Sequence, residues 1–132
     1  MAVKGWIVDN SAAVRANEQD IAAQLRGLSE PLFICRVGML EQLYSAQSAI
    51  SYDQLEKDLR SNFPTVEAPG DLLSRALVLQ KDLAHHHGMW HRVPIPDLLI
   101  AETALHNNVG VVHFDADFEK ISKVRPLRTL SL

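Results

Sequence analysis

Cysteine occurs once in the 132 residues, at Cys35. No internal disulfide can form, so the fold rests on packing, as expected of a protein kept in a reducing cytoplasm. That thiol ends the apolar run Leu32-Phe33-Ile34-Cys35 and reads as a small core residue rather than a nucleophile. No apolar run approaches the roughly 20 residues that cross a bilayer. The N-terminus also lacks a basic region followed by an apolar segment and a small-residue cleavage site, so the sequence predicts neither membrane anchor nor leader. No Gly-x-Gly-x-x-Gly follows any apolar run, which excludes a dinucleotide-binding fingerprint. Surplus positive charge is missing too: 13 Lys and Arg stand against 16 Asp and Glu, a net charge of −3. Sequence-blind attraction to nucleic acid through bulk charge is disfavoured on that balance. Internal repeats, low-complexity tracts and long linkers are absent.

What the chain does contain is an alternation of short apolar runs and helical stripes within one predicted domain, residues 1–132. Trp6-Ile7-Val8 reads as a buried strand stopped by the capping residues Asp9, Asn10 and Ser11. Ile21, Leu25 and Leu28 then mark a helix that ends near Gly27 and Pro31. Leu32 to Cys35 is a second strand. Helical stripes follow at Val37, Leu40, Tyr44 and at Tyr52, Leu55, Leu59, before a third strand at Pro64 to Glu67. A turn at Pro69-Gly70-Asp71 opens a helix over Leu72 to Leu83 that stops near Gly88. Pro96 to Asn108 is a helix apolar almost all round, and such a helix is normally sandwiched between layers. Val109 to Val112 gives a fourth strand, and Arg128 to Leu132 a last short one. Strands alternating with helices predict an α/β fold, a mainly parallel sheet of four or five strands covered on both faces.

Carboxylates recur where these strands would end. Asp9 closes the first strand and Asp115 the fourth, with Asp117 two residues on; Glu41 lies just inside the helix after the second strand, and Asp97 opens the apolar helix. Ligands of open α/β sheets bind outside the C-terminal strand ends, so acids far apart in sequence can converge there. Each has a plain alternative: Asp9 and Asp97 as helix caps, Glu41 as a surface acid, Asp115 and Asp117 as turn formers. Together, beside apolar runs and without matching Lys or Arg, they are costly unless something positive faces them. An oxygen-only set without cysteine suits Mg²⁺ or Mn²⁺.

These residues resemble the PIN-domain ribonucleases, and within them the VapC toxins of prokaryotic toxin–antitoxin modules. The resemblance runs the whole chain and rests on Val8-Asp9-Asn10-Ser11, on Glu41 in Met39-Leu40-Glu41-Gln42-Leu43, on Pro96-Asp97-Leu98-Leu99-Ile100-Ala101, and on Asp115-Ala116-Asp117-Phe118. It implies a PIN-like three-layer α/β/α sandwich and a Mg²⁺- or Mn²⁺-dependent endoribonuclease, cytoplasmic and homodimeric. It also implies a small VapB-like antitoxin whose tail blocks the acidic pocket. Asp9, Glu41, Asp97 and Asp115 are then metal ligands, with Asp117 a ligand through water or an orienter behind them. Two departures stand out: Asn10 where many relatives carry Thr or Ser, and His113 where many have Thr.

Further candidates lie outside the acids. Arg36 follows the second strand and would steer RNA or neutralise the acids, or simply face solvent; His91 and Arg92 would reach a phosphate; Ser11 would contact metal-bound water or cap a helix. His85-His86-His87 with His91 reads better as a solvated helix end than as a zinc site, since only His87 and His91 are spaced i, i+4, across Gly88. The tail carrying Lys120, Lys123, Arg125 and Arg128 is a solvated surface or a phosphate contact. Two other functions compete with the nuclease: a PIN-fold partner-binding protein of weak catalysis, and a receiver-like Mg²⁺-binding signalling domain. The latter lacks its second early acid, replaced by Asn10, and an Asp ending the third strand.

Overall fold

The computed structural model of the chain describes residues 3–13 and 18–132. Its strands are β1 (Trp6–Val8), β2 (Leu32–Cys35), β3 (Thr65–Val66), β4 (Gly110–His113) and β5 (Thr129–Ser131). Helices α1 (Asn10–Ala13) and α2 (Gln19–Arg26) follow β1, and α3 (Arg36–Tyr44) and α4 (Ala49–Asn62) follow β2. Between β3 and β4 come α5 (Leu72–His85) and α6 (Ile95–Asn107); α7 (Asp117–Ser122) joins β4 to β5. The five strands pair in parallel in the order β3-β2-β1-β4-β5. That order is not the 2-1-3-4-5 of receiver domains, which removes the signalling alternative.

Strand alternation sorts the core into layers. Ile7 and Val111 point to one face and pack with Leu79 and Leu83 of α5, Ile100 and Ala104 of α6, and Phe118 and Ile121 of α7. Trp6, Val8 and Val112 point to the other, against Ala12 of α1 and Ile21 and Leu25 of α2. Ile34 of β2 gathers Met39 and Leu43 of α3 and Leu59 of α4. Helix α6 is sandwiched between the sheet and α5, which accounts for its near-uniform apolarity. Its C-cap Asn108 takes the left-handed conformation, φ 54°, to turn the chain into β4. Gly110 then lies under the Trp6 ring, where a Cβ would come within 2.5 Å of Cζ3.

Two details go beyond the sequence pattern. The turn shaped by Asp115 and Asp117 leads into a helix that no apolar stripe announced, α7. The stripe Val37-Leu40-Tyr44 lines one groove with Glu41, while α3 buries Gly38, Met39, Gln42 and Leu43, leaving Leu40 66% and Tyr44 92% exposed. The helix starts at Arg36 directly from β2, so the strand end, with no linker to rotate about, dictates which of its two apolar stripes turns inward.

Candidate active site

Strand order reverses between β1 and β4, and the crevice beyond their C-terminal ends is where an open parallel sheet receives a ligand. Asp9 leaves β1 there, its N–H bonded to Val112 O at 3.0 Å. Its Oδ2 accepts from Ser11 N–H at 3.1 Å and from the Ser11 hydroxyl at 2.6 Å. Ser11 Oγ in turn accepts from Phe114 N–H at 3.0 Å. Capping and site-building therefore coincide at Asp9: the interaction that starts α1 also ties the carboxylate to the exit of β4. The Ser11 hydroxyl spends its proton on Asp9, so its place here is to orient that acid.

Asp97 sits in the first turn of α6, which opens with Pro96 in the first helical positions, where a missing N–H costs nothing. It is 6% exposed, lies past the N-cap residue Pro94, and its buried Oδ2 has no partner. Helix capping does not account for such an acid. Burial, and then the charges of Asp9, Asp115, Asp117 and Glu41, push its pKa up to about 8. Asp115 and Asp117 flank the start of α7, and Asp117 N–H donates to Asp115 Oδ1 at 2.8 Å. Burial and the adjacent Asp115 raise the Asp117 pKa, against a smaller lowering by Lys120. Glu41 is raised by burial and by Asp9, and its buried Oε1 is also unpartnered. It opens onto a groove of about 490 Å³ lined by Asn10, Val37, Leu40, Tyr44, Pro96 and Leu99.

Asp97 thus feels the other four acids, but the five are not equivalent. One oxygen each from Asp97, Asp115 and Asp117 lies within 4.8 Å of the others, the one such metal-competent group among the described residues. Asp9 and Glu41 stand around it. Asp117, expected to act through water or from behind, is part of the tight trio. Lys120 supplies the one ion pair to the acids among the described residues, Nζ to Asp117 Oδ1 at 3.4 Å. Sequence reading had placed Lys120 only in a basic tail; its i, i+3 spacing from Asp117 was the available signal. An all-oxygen donor set, a buried orphan oxygen on Asp97 and mutual repulsion among the carboxylates together fit a hard divalent cation.

The remaining candidates stand elsewhere. Arg36 is exposed and bonded to Glu67 beside β3. His91 and Arg92 make no hydrogen bond or ion pair with the acids, and the His91 Nδ1 is buried without a partner. His86 stacks on Trp90 at 4.1 Å between centroids, just past the end of α5, as a helix-end histidine does. Arg125 of the basic tail is committed to Asp82 at 2.7 Å. Cys35 is buried, and burial pushes its thiol up to about 11, too high to be a nucleophile. No helix among the described residues is long and apolar enough to cross a membrane.

Comparison with known proteins agrees with this geometry. The PIN domain profile matches residues 6–124. The chain is 50% identical to Ribonuclease VapC17 of Mycobacterium tuberculosis over 121 residues, 92% of this chain and 90% of that one. To Ribonuclease VapC18 of the same organism it is 35% identical over 90% of this chain and 88% of that one. Among solved structures it resembles VapBC2 from Rickettsia felis, determined bound to a DNA fragment from their promoter, with a TM-score of 0.75 and 15% identity over 96% of this chain and 98% of that one. VapBC-5 of the VapBC toxin–antitoxin family, from Mycobacterium tuberculosis, superposes with a TM-score of 0.66 and 22% identity over 98% and 99% of the two chains. With its acids gathered at the sheet's switch point and its family match spanning nearly its whole length, the chain belongs to the PIN-domain family.

Proposed function

We propose that the chain, acting over residues 1–132 as one PIN domain, is a divalent-metal-dependent endoribonuclease and the toxin of a toxin–antitoxin pair. The observation that carries this reading is the trio Asp97, Asp115 and Asp117, one oxygen of each lying within 4.8 Å of the others, with Asp97 carrying a buried oxygen that has no partner. Asp97, Asp115 and Asp117 would hold Mg²⁺ or Mn²⁺, with Asp9 and Glu41 completing the negative wall. What such a cation supplies when bound is Lewis acidity toward a phosphodiester oxygen and a lowered pKa for its water. The chain's own residues do the positioning: Ser11 holds Asp9, and Asp115 Oδ1 holds the first N–H of α7. No side chain is required as a covalent nucleophile.

Partners follow from the surface. Leu40 and Tyr44 of α3, Leu73 and Leu77 of α5, and Ile95 of α6 are all exposed, and Leu99 lies between the two clefts they line. An apolar face of this kind, running to the rim of the acids, suits association; we assign it to a homodimer. A VapB-like antitoxin, as in the solved VapBC assemblies, would place a cationic tail against the acids. The buried, unpaired Cys35 suits a cytoplasmic setting.

Purified protein is expected to cleave RNA in Mg²⁺ or Mn²⁺ and to stop in excess EDTA. Its expression should arrest growth unless the adjacent small open reading frame is co-expressed. Unchanged RNA hydrolysis by Asp9→Asn, or cleavage that persists in EDTA, would falsify the catalytic reading; metal binding without cleavage would leave a PIN-fold partner-binding protein.

A further inference from the structure

Two successive backbone N–H groups at the exit of β4 are held by side chains. Phe114 N–H goes to Ser11 Oγ, as described, and Asp115 N–H goes to His113 Nδ1 at 3.0 Å. His113 is the last residue of β4 and is 1% exposed. Its other nitrogen, Nε2, lies 3.0 Å from Glu119 Oε1. These two contacts fix the tautomer: Nδ1 accepts from an amide N–H, so the ring proton is on Nε2 and is donated to the carboxylate. Glu119 Oε1 is itself held by the Thr129 hydroxyl at 2.6 Å. The Phe118 ring packs against the imidazole with centroids 5.3 Å apart. A continuous chain of hydrogen bonds therefore runs from β5 through α7 to the backbone that delivers Asp115. Asp115 Oδ1 then receives Asp117 N–H, so one bonded path locates both acids of this loop.

We infer that His113 is a positioning residue: with Glu119 and Thr129 it sets the place of the Asp115 backbone, and through it the geometry of the Asp97-Asp115-Asp117 trio. It acts from behind the oxygens, in the manner of the outer partners that orient metal ligands. A Thr at this position could not bridge from the loop to α7 in the same way, since it lacks the two ring nitrogens. The inference rests on the metal-site reading for its consequence, but the hydrogen bond itself does not.

Two measurements on the full-length protein separate the cases: the Asp115 amide resonance in ¹⁵N-labelled, metal-free protein, and Mn²⁺ affinity by calorimetry. His113→Leu removes both contacts; it is expected to move the Asp115 amide upfield and to weaken Mn²⁺ binding about tenfold or more. His113→Asn offers an amide oxygen close to where Nδ1 stood but does not reach Glu119, so it should restore the Asp115 amide and only part of the Mn²⁺ affinity. Glu119→Ala, at a half-exposed position where folding is not at stake, should weaken Mn²⁺ less than His113→Leu while shifting the same amide. A native-like Asp115 amide and native Mn²⁺ affinity in folded His113→Leu overturn the inference. Should His113→Leu not fold, native values for both in Glu119→Ala and no difference between it and His113→Asn overturn it equally. Failure of the native protein to bind Mn²⁺ would remove the metal reading alone, with the Asp115 amide still deciding the role of His113.

Discussion

Asp97 and Glu102 lie on the same helix, little more than one turn apart, and are equally buried at 6% exposure. Each has one buried oxygen without a hydrogen bond, and burial is the first cause raising each pKa. Their neighbours differ in sign. Asp97 faces Asp9, Asp115, Asp117 and Glu41, all of which raise it further. Glu102 faces Arg125 and Arg75, which lower it, and only Asp71 opposes them. Arg125 Nε lies 3.9 Å from Glu102 Oε2 while Nη2 of the same guanidinium bonds Asp82. A buried acid, then, does not by itself mark a site. Glu102 has its counter-charge built into the fold; Asp97 has repulsion built around it and waits for a charge from outside.

The sharpest way to break that contrast is substitution at Asp97. Asp97→Asn keeps the shape and removes the charge, and RNA cleavage is expected to fall at least about 100-fold, read as turnover of a labelled RNA. The same variant should be more stable than the native protein without metal. In the unfolded chain Asp97 loses its proton near 3.8, and in the folded, metal-free chain near 8. Between those values the folded state binds the extra proton, so raising pH favours unfolding. The native metal-free protein should therefore lose on the order of a few kcal/mol between pH 4 and pH 8 and level off above. Urea titrations across that range check it, and Asp97→Asn should flatten the decline.

Adding the cation should reverse what the bare site costs. At about 100 times its dissociation constant Mg²⁺ or Mn²⁺ is expected to add about 2.7 kcal/mol to stability, seen as a rise in melting temperature. Asp97→Asn should show little of this rise. Equal stabilisation of native and variant protein would mean that the ion binds elsewhere.

Much of this contrast was legible in the sequence, and the reasons it was partial are physical. The strand ends that carry Asp9 and Asp115 follow from apolar runs stopped by capping residues, and parallel topology then sends them to one edge. Asp97 was legible because Pro94 and Pro96 fix the start of a helix whose apolarity demands a buried position. The role of Glu102 was not: within a helix apolar all round, its counter-charges come from Arg75 on α5 and from Arg125 after α7, and no local pattern announces contacts that long. Which side of α3 would be buried was not legible, because Val37-Leu40-Tyr44 and Met39-Leu43 are both apolar stripes; only the direct junction with β2 selects between them. Likewise His113 looked like a mere departure from a Thr, since its partners Glu119 and Thr129 lie on α7 and β5.

The smallest effect is expected at Glu102, and it is the one that tests whether neighbouring charge or burial separates the two acids. Glu102→Gln removes a carboxylate that burial penalises but that Arg125 and Arg75 stabilise, so the two contributions largely offset. Arg125 keeps Asp82 at 2.7 Å and is not left unpaired. Stability at pH 8 should change by no more than about 1 kcal/mol, with RNA cleavage and cation-induced stabilisation as in the native protein. Were Glu102→Gln to stabilise the metal-free protein as much as Asp97→Asn, burial alone would set both pKa values, and the ring of carboxylates around Asp97 would lose its standing as the feature that calls for a cation.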